Sequence, residues 1–349
     1  MELSLLDRSR TRTGEPESAA LAHTVARAIA AEASGYRRFW VAEHHAVPGI
    51  ASGSPPVLMA ALGARTSSIR IGAGGVMLPY HQPLVVAEQF LMLEALYPGR
   101  VDLGLGRSPA FTAPVRRAMR QGAGDPDRFE ADVAELLGYL DGSGAVTARP
   151  VIATAPPAFV LATGRGLEVA ARLGLPAVLG GPILHSAELE AVLARYRREF
   201  VPSPRADRPE ILIALDIVVA ESDEQARELA LPEAWAMAVS RSTGEFPPLE
   251  SVSSIKARHR TEQTRRRVDA NLDTATAGSP ATVRRRLEQL TERTGATELL
   301  ATTSTFDRDA LAASDAALAR IFYGRAAVAN PEVTQSPAAG SRPPAVPVR

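Results

Sequence analysis

Short apolar runs alternate along the chain with segments in which apolar residues recur at helical spacing. Eight of these runs are predicted to be buried strands, and most are followed by a predicted helix. Continuously apolar strands in repeated strand–helix order are typical of a parallel sheet covered by helices, and eight units favour a closed (β/α)₈ TIM barrel, an α/β fold, over an open sheet. The predicted strands span residues 3–6, 38–42, 69–76, 101–105, 159–162, 176–179, 211–219 and 298–302.

Two regions depart from this alternation. Residues 231–277 have no strand pattern and contain an arginine-rich stretch, 258–267, which is better interpreted as a solvated face than as an anion-attracting lid. We expect this region to be an insertion before the last strand. Residues 329–349 are rich in proline and poor in apolar residues, which predicts a disordered C-terminal tail. The rest of the chain, residues 1–328, is expected to form a single barrel domain.

The composition excludes several classes of function. The 349 residues carry no net charge, whereas a general nucleic-acid-binding protein would have a basic excess. The chain has no cysteine, so thiolate nucleophiles and cysteine-ligated metals are excluded, and Lys256 is its only lysine. No stretch resembles a signal peptide or a membrane span, so we expect a cytoplasmic protein that interacts with no membrane.

Three familiar motifs are incomplete. Glycine pairs follow several strands, but the third glycine of a dinucleotide fingerprint is missing, so no nicotinamide site of that type is expected. The sequence Gly106-Arg107-Ser108-Pro109-Ala110 comes near a hydrolase nucleophile elbow, but Pro109 lacks the N–H that its oxyanion hole needs. His44 and His45 are adjacent rather than spaced as in a zinc-binding helix, so no metal site is expected.

Four groups of residues follow one another around the second to fourth predicted strands. The groups are Phe39-Trp40-Val41-Ala42-Glu43-His44-His45; Ala64-Arg65-Thr66 with Ile69-Arg70-Ile71-Gly72; Leu78-Pro79 with Pro83-Leu84 and Ala87-Glu88; and Pro98-Gly99-Arg100 with Gly104-Leu105-Gly106-Arg107. Their order and spacing over residues 36–110 resemble the bacterial-luciferase-like flavin monooxygenases, and weaker similarity continues to Leu300.

The resemblance implies an FMNH₂-dependent monooxygenase. In that family reduced FMN comes from a separate NAD(P)H:flavin reductase and reacts with O₂ to give a flavin C4a-peroxide, which oxygenates an organic substrate such as a secondary metabolite. Two alternatives stay open from the sequence, a deazaflavin- or flavin-dependent dehydrogenase and a flavin-binding protein without catalysis. Family members are often dimers, and the apolar residues near 84–96 would suit a homodimer interface.

The resemblance also implies site residues near the strand ends. His44 matches the active-site histidine, expected to hold or protonate the peroxyflavin, a role that suits a group titrating near neutral pH. Gly74 and Gly75 match a pair joined by a non-proline cis peptide beneath the flavin ring; the alternative is an ordinary close approach of the strand. Arg107 matches the arginine that contacts the flavin phosphate; the alternative is a salt bridge at the rim.

The segment from Leu161 to Gly166 matches the family's phosphate loop, which is commonly Leu-Gly-Ser-Ser. Here Ala162 replaces the glycine, Thr163 keeps a hydroxyl and Gly164 replaces the second serine. Backbone N–H groups at the start of a helix could still bind phosphate. One side-chain donor is lost, which is expected to affect flavin affinity unless Arg165 compensates.

Other residues have more ordinary interpretations. His45 is expected to be structural, because alternate strand residues point to opposite sides, and His81 is expected to be a loop histidine without a special role. Trp235, Met237 and Phe246 could either line a substrate pocket or form the small core of the insertion.

Overall fold

The structure, a computed structural model, describes residues 1–107, 112–120 and 128–324. Ser108 and Pro109 of the incomplete hydrolase motif, and the tail predicted for 329–349, lie outside the described residues. Among the helices of the described part, none combines the length and the apolar character needed to cross a membrane.

Eight parallel strands close into a barrel, so the predicted (β/α)₈ fold is confirmed. The order around the barrel is β1-β10-β7-β6-β5-β4-β3-β2. All eight predicted segments contribute a barrel strand. The strands within the described residues are β1 (Glu2–Asp7), β2 (Arg38–Val41), β3 (Arg70–Met77), β4 (Val101–Gly106), β5 (Ala158–Ala162), β6 (Ala177–Gly180), β7 (Ile211–Leu215), β8 (Ile217–Val219), β9 (Thr276–Gly278) and β10 (Glu298–Ala301).

Helices follow most strands, and their ends agree with local sequence signals. Proline begins α2, α3 and α11, where its missing N–H costs no hydrogen bond, and a left-handed glycine follows α8 and α11. The helices are α1 (Ser18–Ala33), α2 (Pro55–Gly63), α3 (Pro83–Leu96), α4 (Ala113–Ala118), α5 (Arg128–Asp141), α6 (Gly166–Arg172), α7 (Leu189–Glu199), α8 (Asp223–Thr243), α9 (Val252–Ala257), α10 (Glu262–Thr274), α11 (Pro280–Thr294) and α12 (Arg308–Tyr323); Leu78–Tyr80 and Gly181–His185 are 3₁₀ turns.

Alternate strand residues supply two separate cores. One set packs outward against the helices, and the other fills the barrel, where Trp40 meets Phe159 edge to face with ring centroids 5.2 Å apart. Below this pair, Trp40 Nε1 donates to Asp102 Oδ2 over 3.0 Å. Asp102 is fully buried and forms ion pairs with Arg38 and Arg70 near the N-terminal ends of the strands. This end of the barrel is therefore closed by packing and charge pairing, which leaves the opposite end for a cavity.

The insertion differs from its prediction in two respects. The predicted strand 211–219 is divided at Asp216 into β7 of the barrel and β8 outside it. β8 pairs in parallel with β9, so the expectation that residues 231–277 contain no strand is wrong at its end. β9 is only Thr-Ala-Gly, too short to give an alternating pattern, and it forms because β8 offers it a partner. The arginine-rich stretch 258–267 is mostly exposed, in agreement with a solvated face.

The three residues with open roles in the insertion have different environments. Trp235 is 7% exposed in a small core formed with α9 and α10, and its Nε1 donates to Glu250 Oε1 over 3.0 Å. Met237 lines a separate cavity of about 70 Å³. Phe246 lies outside the core around Trp235 and packs at the barrel mouth beside His44. Trp235 thus belongs to the core, and Phe246 to the wall of the candidate site.

Candidate functional site

A cavity of about 640 Å³ opens at the C-terminal ends of the barrel strands, where catalytic groups lie in this fold. The sequence predicted six site residues from four separate strand ends. All of them line this one cavity: His44, Gly74, Gly75, Arg107, Thr163 and Gly164. Apolar side chains from β1, β5, β6 and β7 complete its wall: Leu6, Leu161, Ala162, Val178 and Ala214. The cavity therefore has an apolar interior and polar groups on two sides.

His44 lies just beyond β2, with its ring close to Phe246. The two ring centroids are 5.9 Å apart and nearly perpendicular, and the His44 backbone N–H donates to Ser52 O over 2.9 Å. Burial, and then the nearby guanidinium groups of Arg8 and Arg10, lower the pKa of His44 to about 4. The expectation that His44 titrates near neutral pH is therefore wrong, and near pH 7 its imidazole is neutral, able to donate one hydrogen bond and accept another.

Arg8 and Arg10 belong to a buried group of charges that the sequence analysis missed. Arg8 contacts Glu233 over 3.1 Å and Asp216 over 3.0 Å, and Arg10 Nε donates to Glu233 Oε2 over 3.0 Å. This group ties α8 of the insertion to the end of β1. The only sequence signal was Asp216, a lone charge in an apolar strand segment. Within this group, the guanidinium groups of Arg8 and Arg10 are the members that lower the pKa of His44.

A second missed cluster surrounds Glu43, whose side chain is fully buried. The Nε2 atoms of His45 and His81 both donate to Glu43 Oε1 over 2.6 Å, and the Met77 N–H donates to Oε2 over 2.9 Å. Burial raises the pKa of Glu43, but these hydrogen bonds outweigh it and lower the pKa to about 2. The structural role expected for His45 agrees with this contact, whereas His81 was not expected to have a partner of this kind.

Two imidazoles and one carboxylate are also the donor set of many metal sites. Their ligand atoms lie within 4.8 Å of one another. The 2.6 Å separations are those of direct hydrogen bonds, because ligands around one ion stand further apart. The absence of a metal site stays a prediction.

The Gly74–Gly75 peptide is cis. Close packing of backbone is present as well, so the cis peptide and the close approach of the strand occur together, while a place beneath a flavin ring stays a prediction. A Cβ on Gly75 would lie 2.7 Å from Gly104 O, and a Cβ on Gly74 would lie 2.4 Å from Leu6 Cδ1. Neither position has room for a side chain without movement of its neighbours, so the strand exposes bare backbone to the cavity.

The ends of β4 and β5, the next strands along the barrel, bring two arginines, Arg107 and Arg165, to the cavity. Arg107 is half-buried at the end of β4, Thr163 and Arg165 are exposed, and a Cβ on Gly164 would meet nothing within 4 Å. No described residue forms an ion pair with Arg107, so the alternative of a rim salt bridge finds no support in the part of the chain that the structure describes. α6, which follows this loop, has only seven residues. The guanidinium groups and the open loop are therefore the features suited to an anion.

Comparison with known proteins agrees with this geometry. The family model described as luciferase-like monooxygenase matches residues 1–298. The chain belongs to the luciferase-like monooxygenase family. It is therefore an oxidoreductase of the monooxygenase type. A relative from Escherichia coli K12, itself named luciferase-like monooxygenase, is 35% identical over 318 residues, which are 88% of this chain and 92% of the relative.

Solved structures with the same fold cover most of this chain. Apo-MsnO8 is 31% identical, covers 92% of this chain and 98% of its own, and superposes with a TM-score of 0.83. Two structures at 17% identity, each covering 92% of this chain and 97% of its own, show the fold alone. One is the oxygenating constituent of 3,6-diketocamphane monooxygenase from Pseudomonas putida in complex with FMN, with a TM-score of 0.70. The other is an F420-dependent secondary alcohol dehydrogenase, with a TM-score of 0.65.

Proposed function

We propose that this luciferase-like monooxygenase binds reduced FMN in the 640 Å³ cavity and uses O₂ to oxygenate an organic substrate. The observation that carries the proposal is the meeting of six separately predicted residues in one cavity. We expect Arg107, Thr163 and Gly164 to bind the phosphate end of the flavin, and Gly74 and Gly75 to contact its ring.

The residues of the cavity suit such a ligand. Its volume lies within the range of about 300–1,000 Å³ that is usual for small-molecule sites. Arg107 has no described carboxylate partner and can bind phosphate through two parallel hydrogen bonds. The apolar wall around Leu6, Leu161 and Val178 suits a flat aromatic ring. The open space at Gly164 leaves its backbone accessible.

The bound flavin would supply the oxygenation chemistry, and the chain would position it. His44 is the catalytic residue of the proposal. Because its pKa is lowered to about 4, we assign it a neutral hydrogen-bonding role toward the reacting flavin and oxygen atoms, rather than that of an acid charged at neutral pH. Phe246 shields one edge of the His44 ring and would limit the access of water to it.

The remaining parts of the proposal concern partners. Reduced FMN would be supplied by a separate NAD(P)H:flavin reductase, and the reaction would take place in the cytoplasm. A homodimer is supported by α3, which buries Val86 and Phe90 but leaves Val85 and Met92 48% and 55% exposed. Such an apolar outer face on a helix is typical of an interface. Sedimentation of the wild type as a dimer, and of Met92→Glu as a monomer, would support this arrangement; a monomeric wild type would refute it.

Flavin titration tests the cofactor. Photoreduced FMN, titrated anaerobically, is expected to bind Arg107→Ala roughly 10- to 150-fold more weakly than wild type, the loss of a charged hydrogen bond of about 1.5–3 kcal/mol. Arg258→Ala, at an exposed site in the insertion, is the matched control and should bind as wild type does. Equal affinity of Arg107→Ala and wild type would remove Arg107 from the site. Tighter binding of a reduced deazaflavin than of FMNH₂ would favour the dehydrogenase instead.

A further inference from the structure

Glu43, His45 and His81 form a hydrogen-bonded group that we call the Glu43 clasp. It joins the loop after β2, which carries Glu43 and His45, to the turn after β3, which ends at His81. One carboxylate oxygen accepts from both imidazoles over 2.6 Å, and the other accepts from the Met77 N–H over 2.9 Å. The clasp therefore fixes two neighbouring strand exits with a single buried side chain.

The clasp lies where the barrel loses regular strand pairing. β2 pairs with β3 only as far as Val41 opposite Ala73. β3 continues to Met77, and its register against β4 is irregular between Ala73 and Val76. The stretch that contains Gly74 and Gly75 thus has no ladder of hydrogen bonds to β2. The Glu43 carboxylate accepts the Met77 N–H at the far end of this stretch, in place of a strand carbonyl.

The same clasp holds both chain neighbours of His44. Glu43 precedes His44 and His45 follows it, and the His45 imidazole is hydrogen-bonded to Glu43 Oε1. The loop is further tied by Ser52, whose carbonyl accepts the His44 N–H over 2.9 Å and whose hydroxyl donates to Ala42 O over 2.6 Å. We propose that the Glu43 clasp is a positioning device that sets the place of His44 relative to the Gly74–Gly75 peptide. The role of the Glu43 clasp in catalysis rests on the proposed function.

Hydrogen bonds of this type are strong enough for that task. Hydrogen bonds to an ionised carboxylate are roughly twice as strong as those between neutral groups, and a buried carboxylate that lost its donors would be costly. Among the described residues, no arginine or lysine forms an ion pair with Glu43, so its partners are the two imidazoles and one backbone N–H. Removing one imidazole should therefore displace the carboxylate and, through the chain, His44.

Histidine side-chain NMR tests the positioning directly, without flavin. The chain has six histidines, so each ring signal can be assigned, and the ring of Phe246 near His44 makes the His44 signal sensitive to its place. We expect the His44 signal to move in His81→Ala and Glu43→Ala, and to stay in place in His259→Ala, a change at an exposed histidine. In Glu43→Gln the His44 signal should lie nearer its wild-type position than in Glu43→Ala. The glutamine amide oxygen can accept from the Met77 N–H, and its NH₂ group can donate to the imidazoles.

Two outcomes would overturn the clasp. An unmoved His44 signal in His81→Ala refutes it, and this variant keeps Glu43 with His45, so it decides the matter if Glu43→Ala does not fold. The second outcome combines two observations: stoichiometric zinc in the purified wild type that is lost in His81→Ala, and a wild-type His44 signal that moves when EDTA is added. Together they would show that a metal ion holds these residues instead. An unchanged wild-type spectrum in EDTA is the result we expect.

Oxidation kinetics then connect the clasp to catalysis. In the reaction of photoreduced FMN with O₂, His81→Ala should shorten the lifetime of the transient flavin spectrum about tenfold when His44 is present. In the His44→Ala background the same change should shorten it less than about twofold, because the effects of coupled residues are not additive. Equal effects in both backgrounds would refute a role through His44. If wild type and His44→Ala oxidise FMNH₂ identically, the proposed function fails, and the NMR comparison still decides the clasp.

Discussion

The contacts of Gly75 predict a sharp difference between two adjacent glycine-to-alanine substitutions. In Gly75→Ala the new Cβ would lie 2.7 Å from Gly104 O, a backbone atom of the neighbouring strand. In Gly74→Ala the Cβ would lie 2.4 Å from Leu6 Cδ1, the end of a flexible side chain. The nominal overlap is larger at Gly74, but Leu6 can rotate away, whereas Gly104 is held within β4. The cost should therefore be greater at Gly75.

The magnitude follows from the packing of β3 against β4. Relieving the contact of Gly75→Ala requires the two strands to separate by roughly 0.7 Å or more, and overpacking of this kind typically costs about 1–3 kcal/mol. Gly74→Ala should cost about 1 kcal/mol, the lower end of that range, because Leu6 can repack and the Trp40 ring, 3.0 Å from the new Cβ, has to shift by only a few tenths of an ångström. Gly164→Ala, where a Cβ meets nothing within 4 Å, serves as the control and should unfold as wild type does.

Urea unfolding of the three variants measures the difference. The midpoint of Gly75→Ala should fall clearly below that of Gly74→Ala, with Gly164→Ala at the wild-type value. Since β3 also forms the cavity wall, Gly75→Ala should weaken FMN binding as well. If Gly74→Ala proves as destabilising as Gly75→Ala, or if Gly75→Ala leaves the midpoint unchanged, the reasoning from backbone contact is refuted.

Two further predictions concern stability. Asp102→Ala should lower the free energy of unfolding by about 3 kcal/mol, because it removes the buried carboxylate that Arg38 and Arg70 share, while Arg38 keeps its ion pair with Glu298. An effect below about 1 kcal/mol in urea unfolding would contradict this. Burial lowers the pKa values of His23 and His44 to about 4, so the unfolded chain takes up protons near pH 6.5 while the folded chain does not. Stability should thus be highest above pH 6.5 and fall toward pH 4, by on the order of 3 kcal/mol from the buried His44 and by less from His23, which is partly exposed. His44→Gln should flatten this dependence, and equal urea midpoints at about pH 7.5 and about pH 5 would rule it out.

The fold was largely predictable because the strands carry strong local patterns. Strands such as residues 211–215 are apolar on both faces, and each of the eight barrel strands overlaps its predicted range. β8 and β9 were not predictable, because each has only three residues and depends on a partner more than 50 residues away. The division at Asp216 also depends on a distant group, the guanidinium of Arg8.

The candidate site was also predictable only in part. The resemblance of short motifs identified His44 and Arg107, which line one cavity, although their roles toward a flavin stay predictions. The pKa of His44 could not be predicted, because it depends on burial and on Arg8 and Arg10, both more than 30 residues away in the chain. His81 lies 38 residues from Glu43, and only the closure of the barrel brings the two together.

The reaction of enzyme-bound FMNH₂ with O₂ tests the central claim most directly. Photoreduced FMN is bound anaerobically, mixed rapidly with oxygenated buffer and followed by its absorbance, with His259→Ala as the control for the loss of a histidine. For the wild type and the control, the account predicts a transient spectrum that matches neither reduced nor oxidised FMN, and for His44→Ala it predicts a much shorter transient. Direct conversion of reduced to oxidised FMN by the wild type, at the same rate in His44→Ala, would contradict it.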